Sequence, residues 1–303
     1  MNKKWVCDEI NEELVEKIKK ENNITTLLAS ILVKRGITDE NQIRVFLEPS
    51  RNDFYDPFLM PDMGKAVDRI IKAKENNEKI LIYGDYDVDG ITSICVLKKF
   101  LESIGMAVSY IIPNRLEEGY GLNMEAVKKI VEEQYNLMIT VDCGISGIEE
   151  IEYGNKLGLE TIVTDHHEPL DILPNAVAVI DSKIKTNKYP FNQLAGVGVV
   201  FKLIQAISIK LNLKDIEYLK YLDLVAIGTI SDIVPLIDEN RVIAKLGLKL
   251  LEVTKNIGLR SLLNSLGYKE INSMSVSFRN CTKNKCLRKN GRSRRSTKII
   301  FNR

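Results

Sequence analysis

The only two histidines of this 303-residue chain are adjacent, in TDHHEPL (164–170), with Asp165 directly before them. Imidazole serves as metal ligand, acid or base, so His166 and His167 side by side invite a chemical explanation. A second stretch, GDYDVDG (84–90), carries Asp85, Asp87 and Asp89. A third, TVDCGIS (140–146), carries Asp142. Carboxylates combined with imidazoles suit Mn²⁺, Mg²⁺ or Zn²⁺. Acids packed closely repel one another unless cations neutralise them. Two divalent ions ~3.5–4 Å apart can clamp a phosphate and activate a water. Asp165 is placed to orient one imidazole.

Blander explanations exist for each motif alone. Adjacent histidines can be a surface accident, and an acidic turn can be a solvated loop. DxDxDG also opens an EF-hand, but that loop needs glutamate at its twelfth position, which is Val96 here. The elements around the motifs favour a common site. From residue 79 onward, short apolar runs alternate with helical segments. Strands are expected over 79–84, 107–112, 137–142, 160–165 and 176–181. Helices are expected near 91–104, 124–135 and 147–157, then over 193–212 and 216–230. This alternation predicts an α/β fold with an open, mostly parallel, doubly wound sheet. Three of the strands run directly into the acidic or histidine motifs. The carboxyl ends of parallel strands form the crevice in which such sheets bind ligands.

A helical lead-in is expected over 8–48, where Leu14, Ile18, Leu27, Leu28, Ile31 and Leu32 recur at helical spacing. Residues 46–62 hold three of the eight prolines and read as a connection, with a helix over 63–76. The boundaries are therefore a helical N-terminal segment over 1–60, the α/β domain over 61–240 and a helical connector over 241–279. The composition, 45% hydrophobic and 28% charged, is that of an ordinary globular chain. No apolar run reaches the length of a membrane span, the N-terminus lacks a signal-peptide core, and the five cysteines are scattered. A cytoplasmic location with no membrane partner is expected. GVGVVF (196–201) departs from the dinucleotide fingerprint at Phe201, and there is no GxxxxGK phosphate loop. Ser93 and Ser146 lack a further histidine to activate them.

Taken together, GDYDVDG, TVDCGIS, VTDHHE (163–168) and LVAIGTISDIVPL (224–236) resemble motifs I to IV of the DHH phosphoesterases. IPNRLEEGYGL (112–122) and LAGVGVVFKL (194–203) are similar to the RecJ-like branch, the single-strand-specific 5′→3′ DNA exonucleases. The resemblance implies that Asp87, Asp89, Asp142, His166 and Asp232 hold two divalent ions, Mn²⁺ or Mg²⁺, with Asp142 bridging. It implies that His167 contacts the scissile phosphate or completes a metal shell, with Asp165 holding the histidines in register. Many family members place a histidine four residues before the motif I aspartate; that position is Tyr83 here, and Asp85 is the candidate substitute. Arg115 and Lys202 are candidate phosphate contacts. The implied reaction is in-line hydrolysis of a phosphodiester in single-stranded DNA, in repair and recombination. A single-strand-binding protein and a helicase are the expected partners. Two alternatives stay open: hydrolysis of short oligonucleotides or small phosphoesters, and a non-catalytic replication scaffold. The 5′→3′ polarity rests on the resemblance alone.

The C-terminus departs from the family pattern. Residues 280–303 carry nine Lys or Arg and no acid, leaving 34 basic against 41 acidic residues before them. Such a tail normally reads as a nucleic-acid arm. The family instead continues from SFR (277–279) with a motif resembling FRIAPRINASGR and a DHHA1-type domain. One nucleotide string can encode RNCTKNKCLR (279–288) in one frame and RIAPRINAS in the next. Residues 280–303 are therefore expected to be frameshifted, disordered sequence, and activity weakened by loss of the second domain. The gene's nucleotides decide this.

Overall fold

The computed structural model describes residues 9–113, 121–266 and 271–276. Arg115 and the basic segment 280–303 lie outside the described residues. The chain divides into two compact units between Asp53 and Phe54.

The first unit holds α1 (Glu12–Asn22), α2 (Thr26–Lys34) and α3 (Glu40–Leu47). Asn11, Thr25 and Asp39 cap these helices, each side chain accepting an amide of the first turn. The helical spacing of the lead-in thus resolves into three helices. Val15, Ile18, Ala29, Leu32 and Ile43 form their buried faces.

The second unit begins earlier than residue 61. Phe54 packs on Phe201 with ring centroids 5.1 Å apart, and the Tyr55 amide donates to Glu239 Oε1 at 3.0 Å. Next come α4 (Met63–Glu75), β1 (Ile80–Gly84), α5 (Val88–Ser103), β2 (Val108–Ile111) and α6 (Met124–Glu132). They are followed by β3 (Leu137–Val141), α7 (Ile148–Lys156), β4 (Glu160–Thr164) and β5 (Ala178–Ile180). The chain then turns helical: α8 (Gly196–Lys210), α9 (Ile216–Leu219), α10 (Leu222–Ser231), α11 (Asp238–Glu252) and α12 (Ile257–Leu266). The helix expected over 216–230 is thus two, broken at Lys220 and Tyr221.

The five strands lie in the order β2-β1-β3-β4-β5, all parallel, with Ile82 opposite Tyr110 on one side and Ile139 on the other. The fold is the expected doubly wound α/β sheet. Successive side chains point to opposite faces. Ile80, Ile82, Leu137, Ile139 and Ile162 join the core formed with α4, α5, α8 and α10. Leu81, Tyr83, Met138, Val163 and Val179 join the core formed with α6 and α7. Burying each large aliphatic side chain contributes ~1.5–3 kcal/mol, which fixes the strands that carry the site. The strand order reverses between β1 and β3. Their carboxyl ends, carrying Asp85 and Asp142, flank that switch point, where sheets of this order bind ligands.

Candidate metal centre

Helix α5 begins at Val88, three residues before the start expected from sequence. Asp87 is its N-cap, its side chain accepting the Gly90 amide at 3.1 Å. Asp89 therefore sits in the first turn of a helix and not in a loop, and it is buried. Its carboxylate is held from across the molecule: Gly196 N donates to Oδ2 at 2.7 Å and Val197 N to Oδ1 at 2.9 Å. These are free amides of the first turn of α8, whose dipole favours an anion. The role of GVGVVF, which carries no fingerprint, is thus to receive a carboxylate. Spacing could not show this, because donor and acceptor lie over a hundred residues apart; glycines at an expected helix start were the available signal.

Asp142 follows β3 with a left-handed backbone, φ 58. Asp165, His166 and His167 follow β4. Asp232 comes from elsewhere, directly after α10. His166 Nε2 lies 3.1 Å from Asp142 Oδ1, 3.7 Å from Asp232 Oδ2 and 3.8 Å from Asp89 Oδ2. Among the described residues, three sets of side chains each present ligand atoms within 4.8 Å of one another: Asp142, His166 and His167; Asp89, His166 and Asp232; Asp85, Asp87 and Asp142. Asp142 and His166 each belong to two sets. Asp85 thus stands with Asp87 and Asp142. Tyr83 stands elsewhere, buried in the core on the other face with its hydroxyl donating to the Gly121 carbonyl at 3.0 Å.

Asp165 fixes both histidines. Its Oδ1 accepts the amides of His166 (2.8 Å) and His167 (3.2 Å) and lies 2.7 Å from His167 Nδ1, while Oδ2 accepts the Ile145 amide at 2.9 Å. The ring it orients is that of His167. Burial pushes the Asp165 pKa up, but the His167 hydrogen bond and the amides hold it below the ordinary value. The same bond raises His167.

The remaining groups show a site short of positive charge. Burial, with Asp232 and Asp87 nearby, raises Asp89 well above the carboxylate range. Burial and Asp89 do the same to Asp142. Burial and Asp87 bring Asp232 to about 6. Burial and the neighbouring His167 bring His166 down to about 4, leaving its ring neutral and able to ligate. Asp142 Oδ1 is buried without a hydrogen-bond partner, although His166 Nε2 stands 3.1 Å away. Divalent cations, ligated by these atoms, would remove both the repulsion and the orphaned oxygen. The residues fit such ions.

Lys202 is not at this site. It is fully buried, paired with Glu239 Oε1 at 2.9 Å and donating to the Tyr55 carbonyl at 2.7 Å. The expectation that it contacts phosphate is therefore corrected: it points from α8 into the core, where the buried Glu239 of α11 compensates its charge. Asp181, at the end of β5, is a buried acid that sequence reading missed as a site neighbour.

The model of the DHH family, N-terminal domain, matches residues 79–229. The chain is 44% identical over 277 residues to the single-stranded-DNA-specific exonuclease RecJ of Bacillus subtilis, covering 91% of this chain and 34% of that one. It is 37% identical over 223 residues to RecJ of Thermus thermophilus, covering 73% of this chain and 32% of that one. The chain thus spans about a third of the length of these relatives. A crystal structure of exonuclease RecJ bound to manganese superposes with TM-score 0.74 at 33% identity, over 80% of this chain and 61% of that one. The Thermus thermophilus RecJ structure in complex with Mn²⁺ gives 0.82 at 27% identity, over 96% and 41%.

Proposed function

The chain belongs to the DHH family, and from that premise we propose that it carries the metal-dependent hydrolytic centre of a single-stranded-DNA exonuclease, cutting phosphodiester bonds from the 5′ end. The observation that supports a metal-dependent hydrolytic centre is the sharing of Asp142 and His166 between ligand sets; the single-stranded substrate and the 5′ polarity rest on the likeness to RecJ. Asp87, Asp89, Asp142, His166 and Asp232 would hold two divalent ions, Mn²⁺ or Mg²⁺, with Asp142 between them and Asp85 filling the place that Tyr83 leaves. Such ions, when bound, supply Lewis-acid polarisation of the phosphodiester and a lowered water pKa.

The chain's own groups do the rest. The α8 amides hold Asp89 in one orientation. Asp165 keeps a proton on His167 Nδ1, leaving Nε2 of the exposed ring for a phosphate. Burial of Asp142 and Asp89 keeps water from competing for their oxygens. A single-strand-binding protein and a helicase are the partners such an activity would use in repair and recombination.

Digestion of 5′-labelled and 3′-labelled single-stranded DNA by the chain, with Mn²⁺ and with chelator, tests the proposal beside Asp142→Ala. Metal-dependent release from the 5′ end, absent in the variant, is expected. Preferential turnover of dinucleotides over long strands would point to a small-phosphoester enzyme.

A further inference from the structure

Beside His166 opens a cleft of about 470 Å³, within the ~300–1,000 Å³ range of small-molecule sites. Its two walls continue the ligand-bearing segments. Val234 and Pro235 follow Asp232 in the chain. Asn192, Gln193 and Leu194 directly precede the α8 start that holds Asp89. A molecule lying in the cleft therefore has one end at the metal centre. The walls offer apolar surface on Val234 and Pro235, and exposed carboxamides on Asn192 and Gln193, with Leu194 buried behind them. The Gln193 carbonyl accepts Asn240 Nδ2 at 2.6 Å, which fixes the backbone of that wall.

The cleft also contains a cation. Lys183 follows β5, and its amide is anchored on Asp181 Oδ1 at 2.8 Å. Its side chain is 26% exposed, and Nζ lies 3.3 Å from Glu168 Oε1, whose own side chain is 83% exposed. An ion pair with so solvated an acid is weak and readily exchanged. Lys183 lines the same cleft as His166, so it borders the metal centre.

We propose that this cleft seats one nucleotide of the DNA strand adjoining the scissile phosphate, with Lys183 exchanging Glu168 for a phosphate oxygen. This rests on the nuclease function proposed above. Lys183 is a positioning residue: it holds the strand while other groups act on the bond. Glu168 competes with the phosphate for the same ammonium, so removing the lysine and removing the acid have opposite effects.

The test uses the full chain and a 3′-fluorescein-labelled, 5′-phosphorylated dT pentamer, with Ca²⁺ in place of Mn²⁺ to suppress cleavage. Mn²⁺ binding is titrated separately by electron paramagnetic resonance. Lys183→Gln is expected to weaken pentamer binding about tenfold, as for loss of a charge-assisted hydrogen bond. It should also flatten the dependence of log Kd on log salt by about 0.7, the loss of one single-strand phosphate contact. Lys183→Arg should restore the slope, Glu168→Gln should tighten binding, and none of the three should alter Mn²⁺ affinity. Wild-type affinity and slope in Lys183→Gln would overturn the assignment. A wild-type chain that binds Mn²⁺ but no pentamer would overturn it too, leaving the metal centre standing. A chain that binds no Mn²⁺ would remove the nuclease proposal itself.

Discussion

Asp165 Oδ1 lies 2.7 Å from His167 Nδ1 and accepts the His166 amide at 2.8 Å, so one buried oxygen sets the positions of both histidines. The carboxylate is needed as an acceptor of several donors at once. Asp165→Asn keeps the shape but turns one side of the group into a donor facing the Ile145 amide or the His167 ring. Mn²⁺ affinity is expected to fall ~10–100-fold, as for other supports of metal-ligating side chains. Calorimetric titration of wild type and variant checks this; equal affinities would show that the histidines are held without Asp165.

The sheet and the motifs at its edge were legible because both are written locally. Apolar runs within Ile80–Gly84, Leu137–Val141 and Glu160–Thr164 mark the strands, and the acids and histidines follow directly. Contacts between distant segments were not legible. Nothing near Asp89 announces Gly196 and Val197 as its donors. Asp232 enters from a helix end and not from the sheet edge, so strand logic alone could not place it. The lysine at position 202 reads as a surface cation until Glu239 is seen opposite. Tyr83 and Asp85 are two residues apart, a spacing that on a continuing strand would put them on one face; they differ in fate because β1 ends at Gly84 and Asp85 already belongs to the turn into α5. The tyrosine faces the α6–α7 core, and the aspartate emerges at the edge.

Gly196 leaves no room for a side chain. A Cβ there would lie 2.6 Å from Asp142 Oδ1 and 2.8 Å from Asp142 Cβ. The collision falls on a proposed ligand that is itself fixed by a left-handed backbone. Gly196→Ala is expected to displace the Asp142 carboxylate and the α8 start together. Mn²⁺ binding should weaken by at least about tenfold, while the thermal transition, measured with chelator, falls by roughly 2–12 °C, as an overpacking cost of ~1–3 kcal/mol implies. Unchanged Mn²⁺ binding in a folded variant would mean that Asp142 can retreat without losing its ligand position.

Asp181 gives a pH-dependent prediction with a definite sign. Its side chain is fully buried, Oδ2 has no hydrogen-bond partner, and burial raises its pKa from 3.8 to about 7. The folded state therefore binds this proton more tightly than the unfolded state. The group carries no penalty below pH 3.8; stability falls as pH rises towards 7, and the full penalty applies above. Asp181→Asn removes the charge and keeps the shape. In the presence of chelator it should match wild type near pH 4 and exceed it at pH 8 by about 2–4 kcal/mol. Urea denaturation at the two pH values measures the difference; a gain at low pH and none at high pH would contradict the burial argument.

Lys202 and Glu239 are both fully buried, and the lysine also donates to the Tyr55 carbonyl. Burial lowers the Lys202 pKa and raises that of Glu239, each opposed by the partner's charge. Removing one member strands the other in the core. Lys202→Met is expected to cost ~3–5 kcal/mol, whereas the double change Lys202→Met with Glu239→Leu should recover part of that loss. Tyr189 and the Tyr55 amide, which also use Glu239, set the part that is not recovered. The two variants also separate structure from substrate contact. Lys202 lies away from the cleft, so at temperatures where the variants are folded, the salt dependence of pentamer binding should equal that of wild type. A flattened slope in Lys202→Met would return this lysine to the DNA path.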